Sequence, residues 1–443
     1  MSTHPDDMPP VPAELWPARG VRCCRWIIRV VREVVSAERR VYAERMCGVQ
    51  RCQALYQKGG DRRRSALLPL GKMLSFAASS ALGASAPSSG ARWLLDAALN
   101  SPLYKAVLVP QAKSTMVNTA EENGVPWRDC LSWVKEQGPW ELAADEDGIA
   151  VPEYYKQPFH AYEEGNLCWD AGWEVEIASR AVGARNFPDY GADGEAAFRG
   201  AFDEALTTIG ASCPDGGSIV DFGCGSGIST RRLADAYPAA SSVLGLDLSP
   251  HFLAVGRRLL ELAPEGGGAV NRPWVNSVVA DERIALRRAD VASTGLPDAS
   301  ADVVCLSLVI HELPPEATRE ICAEAMRILK PGSGQLWITE MDFDTAGFSK
   351  LRANPLLFSL IRSTEPYLDI YADYQTSGDL PRDLAAMGFG DIKLTAATGR
   401  HFALVASKQA EGSTGAGAID DQRSENAKPD THLKTWQAKR EKP

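Results

Sequence analysis

Between Ser218 and Asp247 the hydrophobic positions change period twice, and the changes mark out a strand, a turn, a helix and a second strand. Ser218 to Phe222 is a short apolar run of the kind that a parallel strand buried on both faces shows. It breaks at Gly223, Gly225 and Gly227, and from Ser229 to Tyr237 apolar residues return at helical spacing. Val243 to Leu246 is the next apolar run, and an acid, Asp247, ends it.

The same alternation continues in both directions. Phe198, Phe202, Leu206 and Ile209 place a helix over Glu195 to Ile209. Ser249-Pro250 reads as an N-cap followed by proline at the first helical position, opening a helix to about Leu262. Ile284 to Arg288 and Asp302 to Val309 are the third and fourth strands, Glu316 to Leu329 is a helix opened by Pro314-Pro315, and Gln335 to Thr339 is the fifth strand. Glu340 to Asp379 is too long for a simple connection. It holds an apolar helix, Pro355 to Ile361, and Tyr367, Tyr371 and Tyr374 at i, i+4 and i+7, which read either as a substrate lid or as a helical hairpin on the sheet edge. A helix from Asp379 to Met387 follows, and then Asp391 to Thr398 and His401 to Ser407 pair through a two-residue Gly399-Arg400 loop of type II′.

Composition sets the boundaries. The chain has 443 residues and a net charge of −10, with +7 in residues 1–72 against −17 beyond them. An acidic body gives no reason to expect a nucleic acid partner. Residues 1–90 read as a targeting leader, because Arg62 to Arg92 contains no acid and is rich in Ser and Ala, as organelle transit peptides are. This expects a chloroplast protein of the stroma, with the thylakoid lumen as the alternative, since Arg62-Arg63-Arg64 ahead of Ala84-Ser-Ala86 also resembles a twin-arginine signal. Residues 91–153 read as a linker or a small cap, 154–408 as the main domain and 409–443 as a disordered tail. No apolar run approaches the ~18 residues that span a bilayer. The ten cysteines form no C-x-x-C, and no metal site is expected.

The candidate chemistry lies at the glycines. Three glycines at a strand-to-helix turn let backbone N–H groups approach a ligand, and the helix N-terminus beyond adds partial positive charge. A carboxylate at the tip of the next strand, Asp247, sits where it can accept both hydroxyls of a ribose. A nucleoside ligand is expected. His311 and Glu312 fall at the carboxyl edge of the fourth strand, where ligands of parallel sheets bind, and Glu312 is placed to orient the imidazole. His311 reads either as a base or as a cap for the helix that follows. The aromatic, polar stretch Tyr154 to Trp169 suits a segment folded over the mouth of the site, or an ordinary packing arm.

The loop D-x-G-x-G-x-G (Asp221 to Gly227), Asp247, Asp290 ahead of Gly295-Leu-Pro, and Lys330-Pro-Gly before Leu336-Trp-Ile-Thr-Glu resemble the class I S-adenosylmethionine (SAM)-dependent methyltransferases of the type 11 group, which include the C-methyltransferases of ubiquinone and menaquinone biosynthesis. The resemblance covers roughly Glu195 to Lys408, and the flanking stretches look like a plastid-targeted plant and algal branch. It implies an α/β, Rossmann-like seven-stranded sheet with an antiparallel C-terminal hairpin and helices on both faces. It implies SAM as cofactor, held by Asp221, Gly223, Cys224, Gly225, Gly227, Asp247, Leu248, Asp290, Val291 and Ser307. Within that set Asp221 serves the methionine end, Asp290 the adenine amino group and the Val291 N–H the ring. The resemblance does not give the acceptor; the lid reading, with Leu356 to Ile361 beside Tyr367, Tyr371 and Tyr374, expects a small, largely apolar one methylated at carbon or oxygen. Ser333 departs from the paired glycines usual in the Lys330-Pro-Gly turn.

Overall fold

The computed structural model describes residues 109–143, 148–160, 162–263, 280–353, 358, 361, 364–410, 412 and 418–430. The expected leader and most of the Pro355 to Ile361 helix lie outside them. Among the described residues no helix is long and apolar enough to cross a membrane.

The strands are β1 (Ser218–Phe222), β2 (Ser242–Asp247), β3 (Ile284–Arg288), β4 (Val303–Ser307), β5 (Gln335–Met341), β6 (Phe389–Ala396), β7 (His401–Lys408) and β8 (Ile419–Asp421). They form one sheet in the order β3-β2-β1-β4-β5-β7-β6-β8. The first five are parallel, and β7 inserts antiparallel between β5 and β6. Chain direction across the sheet reverses between β1 and β4, so a crevice opens at their carboxyl ends, the position where open α/β sheets bind ligands.

Helices cover both faces. Gly194–Thr208 (here α4) and Ile228–Ala236 (α5) pack through Phe198, Phe202, Leu206 and Leu233 on one side. Pro315–Ile328 (α7), Leu368–Thr376 (α9) and Asp379–Ala386 (α10) pack through Ile321, Ile328, Tyr371 and Leu384 on the other. Val109–Glu122 (α1) and Trp127–Glu136 (α2) bury Val117, Trp127, Cys130 and Val134 against Trp169–Asn186 (α3) and Pro250–Glu261 (α6). This part of the expected linker or cap is therefore an outer helical layer. The remaining labelled helix is Ala346–Arg352 (α8).

Three expectations need correction. The sheet has eight strands rather than seven, because part of the expected disordered tail supplies β8, parallel to β6. That segment has few apolar residues and is held by charge: Arg423 reaches Asp342, and Asp430 reaches Arg400. The β6–β7 connection is four residues long, with the Ala397 and Thr398 N–H groups both donating to the His401 carbonyl, and Gly399 takes no positive φ, so it is not a type II′ turn. Gly399 is glycine because the tail passes over it: a Cβ there would lie 2.5 Å from the Pro429 carbonyl oxygen and the Asp430 Cα. Finally, α3 spans 170–186, a stretch without a visible helical stripe, because Glu174, Glu176 and Arg180 are buried among its apolar positions.

Candidate active site

The turn after β1 has φ of 72° at Gly223, 57° at Gly225 and 81° at Gly227, the left-handed region that side chains other than glycine avoid. Gly223 also lies under Val309, whose Cγ2 would sit 2.7 Å from an added Cβ. Asp221, within β1, is fully buried. Its Oδ2 accepts from Ser229 Oγ at 2.6 Å and Thr230 Oγ1 at 2.7 Å, which ties the strand to the first turn of α5. Its Oδ1 is buried with no protein donor. Burial pushes this carboxyl up to about 6, with the two hydroxyl donors opposing. Cys224 is buried against Leu253 and Leu286, and burial holds its thiol well above the ordinary range.

A network not expected from the sequence supports the turn from below. Glu176 of α3 is fully buried, accepts from Ser226 Oγ at 2.7 Å, and pairs with Arg231 at 2.7 Å and Arg180 at 2.9 Å. Burial raises the Glu176 pKa, but the two guanidinium groups win and hold it at about 2. Glycine turn, α3 and α5 are thereby fixed to one another.

Asp247 ends β2 beside the turn, accepting the Gly225 N–H on Oδ2 and the Ser249 N–H on Oδ1, both at 2.8 Å. Tyr155 donates to Oδ1 at 3.3 Å. Leu248 is buried, and its carbonyl accepts from Arg288 Nε at 3.0 Å. Asp290 is half-buried past β3, where its Oδ1 accepts the Ala292 N–H at 2.9 Å, and Val291 packs against the core. Ser307 is engaged elsewhere: its hydroxyl accepts from Arg199 at 2.6 Å and bonds Thr339 at 2.8 Å on the face covered by α4.

Past β4, Leu308 takes φ 59°, unusual for a branched side chain, and turns the chain so that Val309 covers Gly223 and His311 faces β5. The structure corrects the role expected of Glu312. The partner of the His311 ring is Glu340, at the end of β5, whose oxygens lie 2.9 and 3.0 Å from Nδ1. Glu312 lies on the other side, 3.9 Å from Nε2, and also meets Asn166 Nδ2 at 3.4 Å. Burial alone would lower the His311 pKa, but the charge and hydrogen bond of Glu340, with Glu312 adding, raise it to about 9. Burial raises Glu312 to about 7, with His311 and His160 opposing and Glu365 and Asp247 adding. Glu365 faces His160 at 3.8 Å.

The segment expected over the mouth of the site is there. Tyr155 reaches Asp247, Asn166 reaches Glu312 and, through its carbonyl, Ser249 Oγ, and the His160 N–H donates to the Thr364 carbonyl. The tyrosine ladder is not an open acceptor wall. Tyr371 is 1% exposed and donates to the Met341 carbonyl at 2.5 Å, and Tyr374 is 6% exposed and donates to Asp383 at 2.8 Å. Both belong to the core because their helix packs on the sheet, although the Tyr371 ring meets His311 edge-on. Tyr367 is half-buried at the start of that helix.

The residues present fit SAM. Asp221 Oδ1 is a buried acceptor lacking a donor, as an amino-acid ammonium would supply, the three glycines leave a cradle, and the Asp247 carboxylate stands beside that turn at the tip of β2. Glu340, Glu312 and Glu365 all act on His311, and Asp247 acts on Glu312, so the charged groups past β4 and β5 form one coupled cluster that reaches the end of β2.

Residues 220–338, running from β1 through the His311 turn into β5, match the family described as a methyltransferase domain. The chain is 32% identical over 144 residues to an arsenite methyltransferase of Aquipseudomonas alcaligenes, covering 32% of this chain and 38% of that protein. It is 34% identical over 114 residues to a trans-aconitate 2-methyltransferase of Methylobacterium nodulans, covering 26% and 34%. It therefore spans less than half the length of these curated relatives. Among solved structures, phosphoethanolamine N-methyltransferase 2 of Haemonchus contortus in complex with SAM is 17% identical with a TM-score of 0.34, covering 46% of this chain and 51% of that one.

Proposed function

We propose that this protein transfers a methyl group from SAM to a small, largely apolar organic acceptor, at carbon or oxygen. The observation that carries the reading is the pair of buried carboxylates flanking the glycine turn: Asp247 held by the Gly225 N–H, and Asp221 with one oxygen lacking a donor. When bound, SAM supplies an electrophilic methyl group on a sulfonium. The protein's part is to hold the acceptor in line and to take its proton. His311, held charged by Glu340, is already protonated at neutral pH and serves as a fixed positive partner. Glu312, with a pKa near 7 and more exposed than His311, is the group suited to accept a proton from an acceptor hydroxyl or activated ring carbon. Half-buried Tyr154 and Tyr367 lie near each other and Asp290 and offer ring faces to an apolar acceptor.

Calorimetry with SAM and its demethylated product S-adenosylhomocysteine (SAH) tests this reading. Micromolar-range affinity that falls at least tenfold in Asp247→Ala is expected, and no binding by the wild type overturns it. Residence in the plastid stroma is proposed on the acid-free Ser/Ala segment, with a mature N-terminus between Ala86 and Arg92. N-terminal sequencing of the native protein checks it.

A further inference from the structure

Asp247 offers about four acceptor positions on its two oxygens. The Gly225 and Ser249 N–H groups take two of them, each at 2.8 Å, Tyr155 takes a third at 3.3 Å, and the Leu248 N–H is close enough to act on the carboxylate as well. A ribose read through both hydroxyls needs two. The two backbone donors cannot leave without undoing the glycine turn and the start of α6. The tyrosine bond is the longest of the three and comes from a 3₁₀ turn, Glu153–Lys156, none of whose residues is fully buried, with half-buried Tyr154 as its contact to the core.

We infer that Tyr155 holds the place of a ribose hydroxyl on Asp247 and that nucleoside binding displaces it toward Asn166 and Glu312, on the acceptor side. This rests on the proposed binding of SAM at Asp247. The landing partners are already close, since the charge of Glu312 and the side chain of Asn166 both act on the Tyr155 hydroxyl. Asn166 and Glu312 meet at 3.4 Å, a weak contact that a stronger partner could replace. The rest of the segment is fixed and leaves Tyr155 on a short arm. Its anchors are the pairing of Phe159 with Tyr162, the His160 N–H on the Thr364 carbonyl, Tyr162 on Glu174, and Gly165 packed under the Gln157 carbonyl. Cofactor loading then completes the acceptor site, because the displaced hydroxyl arrives beside the carboxylate proposed to take the acceptor's proton. The cofactor binds first and the acceptor second.

The test needs no acceptor. SAH and adenosine, which brings the same ribose without the amino-acid end, are titrated by calorimetry into wild type, Tyr155→Phe, Asn166→Ala and the double variant. Tyr155→Phe frees an acceptor position and is expected to bind both ligands about threefold more tightly, the size of a stretched hydrogen bond to a carboxylate. Asn166→Ala removes the landing partner and is expected to weaken SAH about threefold in the wild-type background and to have no effect beside Tyr155→Phe, a coupling that a merely structural role would not give. Unchanged or weaker binding in Tyr155→Phe, or an equal Asn166→Ala effect in both backgrounds, overturns the displacement. Failure of the wild type to bind SAH overturns the proposed function instead, so the two outcomes are distinct.

Discussion

His311 and Glu340 form a bonded pair across the ends of neighbouring strands: Glu340 accepts both from the ring Nδ1, at 2.9 Å, and from the His311 N–H, at 3.2 Å. The imidazole is therefore held in one orientation and kept charged.

Replacing Glu340 with Gln should drop the His311 midpoint from about 9 to below its ordinary value, because burial then acts with less opposition. The folded pKa lies above the unfolded one, so the stability due to protonation is full below the unfolded value near 6.5 and fades as pH rises through about 9. The wild type should lose about 2–3 kcal/mol across that window and Glu340→Gln much less. Urea unfolding at several pH values, with imidazole NMR titration, measures both.

Asp221 gives the same sign of pH dependence over a lower window, but here it is the charged form that burial disfavours. Its folded pKa of about 6 exceeds the ordinary 3.8, so as a carboxylate it costs stability above pH 6, and the cost is relieved as pH falls through that value. Asp221→Asn should stabilise the protein at pH 7.5 by about 1–2 kcal/mol while weakening SAH at least tenfold, the trade expected where a strained group is kept for binding. Denaturant midpoints and calorimetry on one preparation check the pair of effects.

Glu176 should be the costliest of the residues under the glycine turn. Glu176→Ala leaves Arg231 and Arg180 buried without their carboxylate and should cost about 3–5 kcal/mol, whereas Ser226→Ala removes one hydroxyl bond and should cost about 1 kcal/mol. Comparable losses in the two variants would mean that the charges are not what holds the turn.

These residues differ in how visible they are in the sequence, and the reasons are physical. β1, the glycine turn and Asp247 are legible because strand burial, positive φ and a charged strand tip each demand particular residue types within 30 positions. Glu340 carried a readable signal, an acid closing the apolar run Leu336 to Thr339, but its partner His311 lies 29 residues away on another strand end. Glu176 was hidden because a buried acid inside a helix looks like a solvated face until Arg231, 55 residues on, is seen to meet it. Tyr371 and Tyr374 misled in the other direction: helical spacing shows that they share a face but not whether that face meets substrate or core. The tail was misread for lack of apolar residues, since its docking depends on Arg423 and Asp430 finding charges far back in the chain.

That docking gives the last prediction. Gly399 has the tail lying against its Cα, so Gly399→Ala must push residues 429 and 430 away and break the Arg400–Asp430 pair, 3.1 Å long. Once the tail lifts, Arg423 no longer reaches Asp342, which is 2% exposed and whose carboxyl burial already pushes up, with Arg423 opposing. The variant should lose about 2–3 kcal/mol, the scale of breaking a partly buried ion pair, and become open to trypsin at Arg423. In a chain ending at residue 417 the tail is already gone, and the same substitution should cost less than about 0.5 kcal/mol. The four unfolding midpoints decide the matter: equal losses from Gly399→Ala in the full and shortened chains would show that the glycine serves the β6–β7 turn alone and that the tail does not rest on it.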